Sequence, residues 1–169
     1  MSPHGRRLVY GALGGVVGAA CMTAVRMAAR RRGLIDKMVS QAAEEWLTAQ
    51  PDLPVPREPA LHHALDQALH FGYGGALGLG YALVAGRRPD GRGRGLGFGV
   101  AAWFLGSWAL MPALGAKRPP WRKSLAENAV DLAAHGLYGV VTALVAGEMQ
   151  RQPDHHPTSD VQRYLTRSG

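Results

Sequence analysis

Two long runs without a charged residue constrain the fold of this chain more than any other feature. The first, LVYGALGGVVGAACMTAV, covers residues 8–25, and the second, GLGFGVAAWFLGSWALMPALGA, covers residues 95–116. A helix needs about 20 apolar residues to cross the hydrocarbon layer of a bilayer. The first run crosses or nearly crosses such a layer, and the second crosses it fully. The sequence therefore predicts helices that lie within a membrane.

Two further apolar segments, residues 63–85 and 127–147, give a weaker signal, because each contains an aspartate and a histidine near its beginning. With them the chain has four candidate spans in one domain, residues 1–150. We predict an all-α fold, an integral membrane four-helix bundle. Its spans cover about 8–29, 63–85, 95–116 and 127–147.

Glycine is unusually frequent for a helical chain, with 23 residues, whereas aromatic residues make up only 7%. Pairs of glycines recur at four-residue spacing: Gly11/Gly15, Gly14/Gly18, Gly74/Gly78 and Gly95/Gly99. In a soluble helix each would cost about 1 kcal/mol relative to alanine. In lipid, small residues at this spacing let two helix backbones approach closely. The pattern favours tightly packed spans, and the same Gly/Ala-rich faces could bind a second copy or another membrane protein.

The basic residues indicate a membrane surface as the partner. The chain has a formal net charge of +7, and its basic residues occur in short packets that border the apolar runs. A nucleic-acid site needs basic residues that converge on one surface, so we exclude nucleic acid. Packets at the ends of spans instead favour anionic lipid headgroups. In a four-span bundle nine basic residues would lie on each side of the membrane. The excess of basic residues on one side that would indicate an orientation is therefore missing.

The loop and the tail have their own patterns. Residues 34–50 place apolar side chains on one helix face and polar ones on the other, which predicts an interfacial amphipathic helix with Trp46 near the headgroups. Several prolines follow before the second span. Residues 151–169 are polar and contain Pro153 and Pro157, which is typical of a flexible tail.

The pattern D-x-x-x-H-x-x-Y-G occurs twice, 65 residues apart. Extended by one turn towards the N terminus, its members are His62, Asp66, His70 and Tyr73 in the second span and Glu127, Asp131, His135 and Tyr138 in the fourth. Residues four and seven apart share one face of a helix, so each set forms a polar stripe along its span. The repetition predicts two tandem helix-pair units, with the interfacial helix inserted in the first.

Ionisable side chains are costly in a membrane unless they are paired and point inward. We therefore predict that the two stripes face each other across the second and fourth spans, with Asp66 and Asp131 next to one another or next to their own histidines. A structural cluster of hydrogen bonds is the preferred interpretation, with no cofactor. Arg26, near the end of the first span, is predicted to extend towards the membrane interface rather than to join the cluster.

Two functional alternatives use the same residues. Asp/His chains in spans are typical of proton or ion pathways. Asp66, His70, Asp131 and His135 are also a ligand set that suits zinc or iron. In a variant of the metal alternative, His70 and His135 would hold a haem iron axially. No nucleophile elbow or phosphate loop is present, and the single Cys21 excludes an internal disulfide. No catalytic residue is assigned, and an enzyme is not favoured.

The segment PPWRKSLAENAVDLAAHGLYGV, residues 119–140, resembles the C-terminal region of the YagU-like family. The similarity lies in Pro120-Trp121, Glu127-Asn128, the acid at 131 and His135. The resemblance implies a multi-pass protein of the bacterial inner membrane, and it supplies no established activity. A link to acid tolerance within that family implies a stress-related role. The predicted function is thus that of a small structural, accessory or stress-related membrane protein.

Overall fold

A computed structural model of the chain describes residues 2–35, 58–86, 91–110, 113 and 120–151. Within these ranges every regular element is helical, which confirms the all-α prediction. The described residues form four α-helices: α1 (Pro3–Arg31), α2 (Pro59–Ala85), α3 (Arg92–Trp103) and α4 (Leu125–Arg151). A π-helical segment, Phe104–Leu110, continues α3, and a short 3-10 turn, Pro120–Arg122, precedes α4. The predicted interfacial helix from residue 36 onward and the tail from residue 152 lie outside the described residues.

The ends of α1 follow from local sequence. Ser2 accepts a hydrogen bond from the backbone N–H of Gly5 at 3.1 Å, and Pro3 occupies the first helical position. Both features are typical of helix N termini. At the other end Gly33 adopts a φ of 69°, a left-handed conformation that glycine accepts without strain and that terminates the helix.

The helices pack in the order α2, α1, α4, α3, so that α1 lies between α2 and α4. Each packs antiparallel to its neighbour. The centre contains Ala19 and Met22 of α1 with Ala134 and Tyr138 of α4. The outer helices α2 and α3 meet only at a few places, one of which is the edge-to-face contact of Tyr81 and Phe98, with ring centroids 5.2 Å apart.

Glycines set the spacing within the pair α1 and α2. A Cβ atom added to Gly11 would lie 2.6 Å from the carbonyl oxygen of Gly78. A Cβ added to Gly15 would overlap the carbonyl of Gly74 and would lie 2.9 Å from the Cα atom of Gly78. The two backbones therefore touch directly, as the four-residue spacing of the glycines predicts.

The pair α3 and α4 repeats this arrangement. Gly95 meets Gly139, and Gly99 meets the backbone of His135. The α3 glycines follow their α1 counterparts by 84 residues, and Gly139 and His135 follow Gly78 and Gly74 by 61. The sequence motif, however, repeats after 65 residues. The contact residues of α2 and α4 are thus offset by four residues fewer than the motif, which is about one helical turn. The glycine contacts, and not the polar stripes, therefore determine how the two helix pairs are aligned.

Within the described part of the chain, three helices are long and apolar enough to cross a membrane. They are Pro3–Arg31, His63–Ala85 and Leu125–Arg151, with mean hydropathies of 1.8, 1.2 and 1.5 over their most apolar windows. They correspond to the first, second and fourth predicted spans. The third predicted span, residues 95–116, is described only as far as residue 110, apart from residue 113. Large apolar side chains such as Val84, 82% exposed, point outward from the helices, as expected of a membrane protein.

Candidate functional site

Asp131 lies at the centre of a buried cluster of charged side chains. Its Oδ1 atom is 2.6 Å from Nη1 of Arg26, and its Oδ2 atom is 2.7 Å from Nζ of Lys123. The side chain of Asp131 is 3% exposed, that of Arg26 5% and that of Lys123 10%. Arg26 comes from α1, Asp131 from the second turn of α4, and Lys123 from the turn before α4. We refer to these three residues as the ion-pair cluster.

The ion-pair cluster contains two cations and one carboxylate. Both carboxylate oxygens therefore contact a positive charge, which compensates part of the cost of removing the carboxylate from water. The Arg26 guanidinium has fewer of its hydrogen-bonding groups paired than the Asp131 carboxylate has. Its Nη1 atom lies close to Asp131 without the angles of a hydrogen bond, and its Nε atom has no hydrogen-bond partner within the described residues.

The prediction that Arg26 does not join the polar cluster is wrong, because its side chain pairs with Asp131. The side chain is buried because α1 and α4 approach closely, which brings Asp131 within reach. The approach is set by Gly18, where an added Cβ would lie 2.7 Å from the Thr142 hydroxyl and 2.8 Å from the Tyr138 carbonyl oxygen. The Asp131 carboxylate on α4 is then closer to the Arg26 guanidinium than the solvent is.

The ion-pair cluster lies near one end of the helices, where α1 ends and α4 begins. An aromatic cluster marks the same end: Trp108 contacts Trp103, Phe104 and Trp121, with centroid distances of 6.1, 5.9 and 6.2 Å. Tryptophan is enriched where membrane meets water. The charged side chains are therefore close to an interface and not at the middle of the spans.

The second-span stripe contacts α1. Nε2 of His70 is 2.9 Å from Oγ1 of Thr23, and that hydroxyl donates to the carbonyl oxygen of Ala19, also at 2.9 Å. Because the hydroxyl has a single proton, His70 Nε2 is the donor to Thr23. Tyr73, on the same stripe, is 49% exposed on the outside of the helices. The side chains of His62 and Asp66 lie outside what the structure describes.

In the fourth-span stripe, His135 bonds within α4, whereas Tyr138 bonds to α2. His135 donates from Nδ1 to the backbone carbonyl of Asp131 at 2.7 Å. Tyr138, 3% exposed, reaches α2 and donates to the carbonyl oxygen of Gly74 at 2.7 Å. The hydroxyl of Tyr138 thus joins α4 to the backbone of α2.

Glu127 forms two hydrogen bonds with Ser124 at the start of α4. The backbone N–H of Ser124 donates to Oε2 of Glu127 at 2.9 Å, and the N–H of Glu127 donates to Oγ of Ser124 at 3.1 Å. This reciprocal pair is a capping box, which satisfies two free N–H groups at the start of α4. The sequence S-L-A-E at residues 124–127 carries that signal, and it competes with the interpretation of Glu127 as part of a polar stripe.

The contacts described for the two stripes go to different partners. His70 bonds α1, His135 bonds its own helix, and Asp131 pairs with Arg26 and Lys123. Among the described side chains no group of three or more His, Cys, Asp or Glu residues could hold a metal ion. The residues that sequence reasoning missed are Arg26 and Lys123. The signal for both was Asp131. It is the single acidic residue of the predicted fourth span beyond the first turn of that span, and a buried acid requires a cation from elsewhere in the chain.

A family model described as a family of unknown function, DUF6789, matches residues 5–157. The chain belongs to the DUF6789 family. Comparison with curated proteins and with solved structures finds no match. The DUF6789 match covers α2, α3, α4 and all but the first two residues of α1, so the ion-pair cluster, the glycine contacts and the aromatic cluster all lie within the matched part of the chain. It does not test the resemblance to the YagU-like family, which stays a prediction.

Proposed function

We propose that this DUF6789 protein is a four-span protein of the bacterial inner membrane with a structural, accessory or stress-related role. In this proposal the ion-pair cluster joins α1 to the start of α4 at one membrane interface and so stabilises the arrangement of the helices. The observation that carries the proposal is the pairing of both Asp131 oxygens with cations while all three side chains are buried.

The third span is supported by the continuity of α3 with the π-helical segment. Together they cover 92–110, and a helix of that length extends about 28 Å at 1.5 Å per residue, close to the thickness of the hydrocarbon layer. The antiparallel packing of the four helices also favours four spans, since consecutive helices then cross the membrane in opposite directions.

A structural role fits the ion-pair cluster better than a proton pathway does. A carboxylate that carries protons must exchange them with a neighbour, whereas Asp131 is held by cations on both oxygens. The two histidines predicted for such a pathway bond to separate partners, His70 to Thr23 and His135 to a backbone carbonyl. Removing one partner of a buried ion pair leaves the other charge uncompensated and costs about 3–5 kcal/mol.

The test compares two variants in detergent. Asp131→Asn leaves two buried cations without a counter-charge, and we expect the free energy of unfolding to fall by about 3–5 kcal/mol. The triple variant Arg26→Met, Lys123→Met, Asp131→Leu removes all three charges, and we expect it to recover most of that loss. Glu148→Gln is the control, because its ion pair with Arg151 is exposed and such pairs contribute little.

Flux measurements in proteoliposomes separate this role from transport. If the wild-type protein carries a pH-dependent ion flux that the stable triple variant has lost, the ion-pair cluster is functional and the structural proposal is wrong. Equal behaviour of the two proteins supports it. Cell fractionation tests the location: we expect the protein in the inner membrane fraction, released by detergent and not by high salt.

A further inference from the structure

An apolar groove lies on the outer surface of the pair α3 and α4. It has a volume of about 430 Å³ and is lined by Leu96 and Val100 of α3 and by Leu132, Ala133, Gly136 and Val140 of α4. The lining runs along α4 from residue 132 to residue 140, about 12 Å of helix. Because both helices expose this side, the groove would face lipid in a membrane.

The aromatic cluster lies beyond the groove, at the end of the helix pair where α3 continues and α4 begins. Trp108, on the continuation of α3, contacts Trp121 in the turn before α4, with ring centroids 6.2 Å apart. The contact joins the same two helices that form the groove. Trp121 is 68% exposed, and an exposed indole at the end of a span is typical of headgroup depth. This end of the two groove-forming helices therefore lies towards the headgroups.

The turn at this end presents a cation. Arg122 follows Trp121 directly, is exposed, and has no ion-pair partner among the described residues. The nearby carboxylates are already engaged, since Asp131 pairs with Arg26 and Lys123, and Glu127 accepts from the backbone of Ser124. An anion at this turn would thus meet an unpaired positive charge, next to two further cations that share one carboxylate.

We propose that the groove holds one acyl chain of an anionic phospholipid and that Arg122 binds the phosphate of that lipid. The groove supplies apolar surface at hydrocarbon depth, Trp121 and Trp108 supply the interfacial contact, and Arg122 supplies the charge complementarity. The site is separate from the ion-pair cluster, so it holds whether or not that cluster is purely structural.

Native mass spectrometry of the full-length protein in detergent tests the proposal. The protein is titrated with phosphatidylglycerol, with phosphatidylcholine of the same acyl chains, and with glycerol phosphate. We expect retention of phosphatidylglycerol over phosphatidylcholine. Arg122→Gln lowers phosphatidylglycerol binding about fivefold, as expected for one basic residue near an anionic headgroup, and Ala133→Phe, which fills the groove, lowers the binding of both lipids.

Matched controls are Arg31→Gln, an exposed arginine at the same end of α1, and Ala76→Phe, an exposed alanine of α2. Neither should change lipid binding, and circular dichroism checks that all four variants keep their helices. Equal retention of the two lipids, or an Ala133→Phe variant that binds like wild type, overturns the proposal. Binding of glycerol phosphate that depends on Arg122 but not on Ala133 would identify a site for a free phosphate and would overturn the lipid assignment.

Discussion

A methyl group added at Gly99 tests most directly how α3 and α4 are held together. A Cβ atom at that position would overlap the carbonyl oxygen of His135, and it would lie 2.9 Å from the carbonyl carbon of His135 and 3.2 Å from the Cα atom of Gly136. All three are backbone atoms, which cannot rotate away as a side chain can. The helices must therefore move apart, and they lose contacts along the whole crossing.

The magnitude follows from two opposing effects of Gly99→Ala. Overpacking at a tight contact costs about 1–3 kcal/mol, whereas alanine is favoured over glycine within a helix by about 1 kcal/mol. Gly97, two residues away on the same helix, isolates the first effect, because a Cβ atom added there meets nothing within 4 Å. Gly97→Ala has the gain in helix propensity without the overlap.

Unfolding by SDS titration in mixed micelles measures the difference between the two variants. We expect Gly97→Ala to be as stable as wild type or slightly more stable, and Gly99→Ala to be less stable than Gly97→Ala by about 1–3 kcal/mol. If the two variants unfold at the same SDS fraction, direct backbone contact between α3 and α4 is not what holds this pair, and the packing described above is refuted at its central point.

Two further changes test single hydrogen bonds. Tyr138→Phe removes the buried hydrogen bond to the Gly74 carbonyl, and we expect the free energy of unfolding to fall by about 0.6–1.7 kcal/mol in the same titration. Tyr73→Phe, at a half-exposed tyrosine, is the control and should leave stability unchanged. An equal loss in both variants would contradict the assignment of the hydrogen bond. Ser124→Ala removes one half of the capping box with Glu127, so α4 should lose about 1 kcal/mol, with faster amide hydrogen exchange confined to its first turn.

The helices themselves were largely predictable from the sequence. Uncharged or nearly uncharged segments longer than about 18 residues leave few alternatives to a membrane helix, and they locate α1, α2 and α4 closely. The glycine pairs also predicted where backbones touch, since Gly11, Gly15, Gly95 and Gly99 all contact a neighbouring backbone. These predictions succeeded because each rests on one segment and a short-range physical requirement.

The site was predictable only in part, because its pairing depends on which helices are neighbours. The polar stripes identified Asp131 as a buried acid, and Asp131 is buried. Its partners were missed, since the motif pointed to α2 while α4 packs chiefly against α1 and α3. Arg26 was assigned to the interface on its position near the end of a span. Only the packing order of the helices, in which α1 lies next to α4, shows that a carboxylate lies beside Arg26.

Packing and charge pairing in this protein depend on each other. Gly14 and Gly18 let α1 approach α4 to backbone contact, with an added Cβ at Gly14 lying 2.7 Å from the carbonyl oxygen of Thr142. That approach is what allows Arg26 to reach Asp131. The ion pair in turn opposes separation of the same two helices, because separation would leave charges uncompensated. The glycines therefore set the distance between α1 and α4, and the ion-pair cluster makes that distance costly to change.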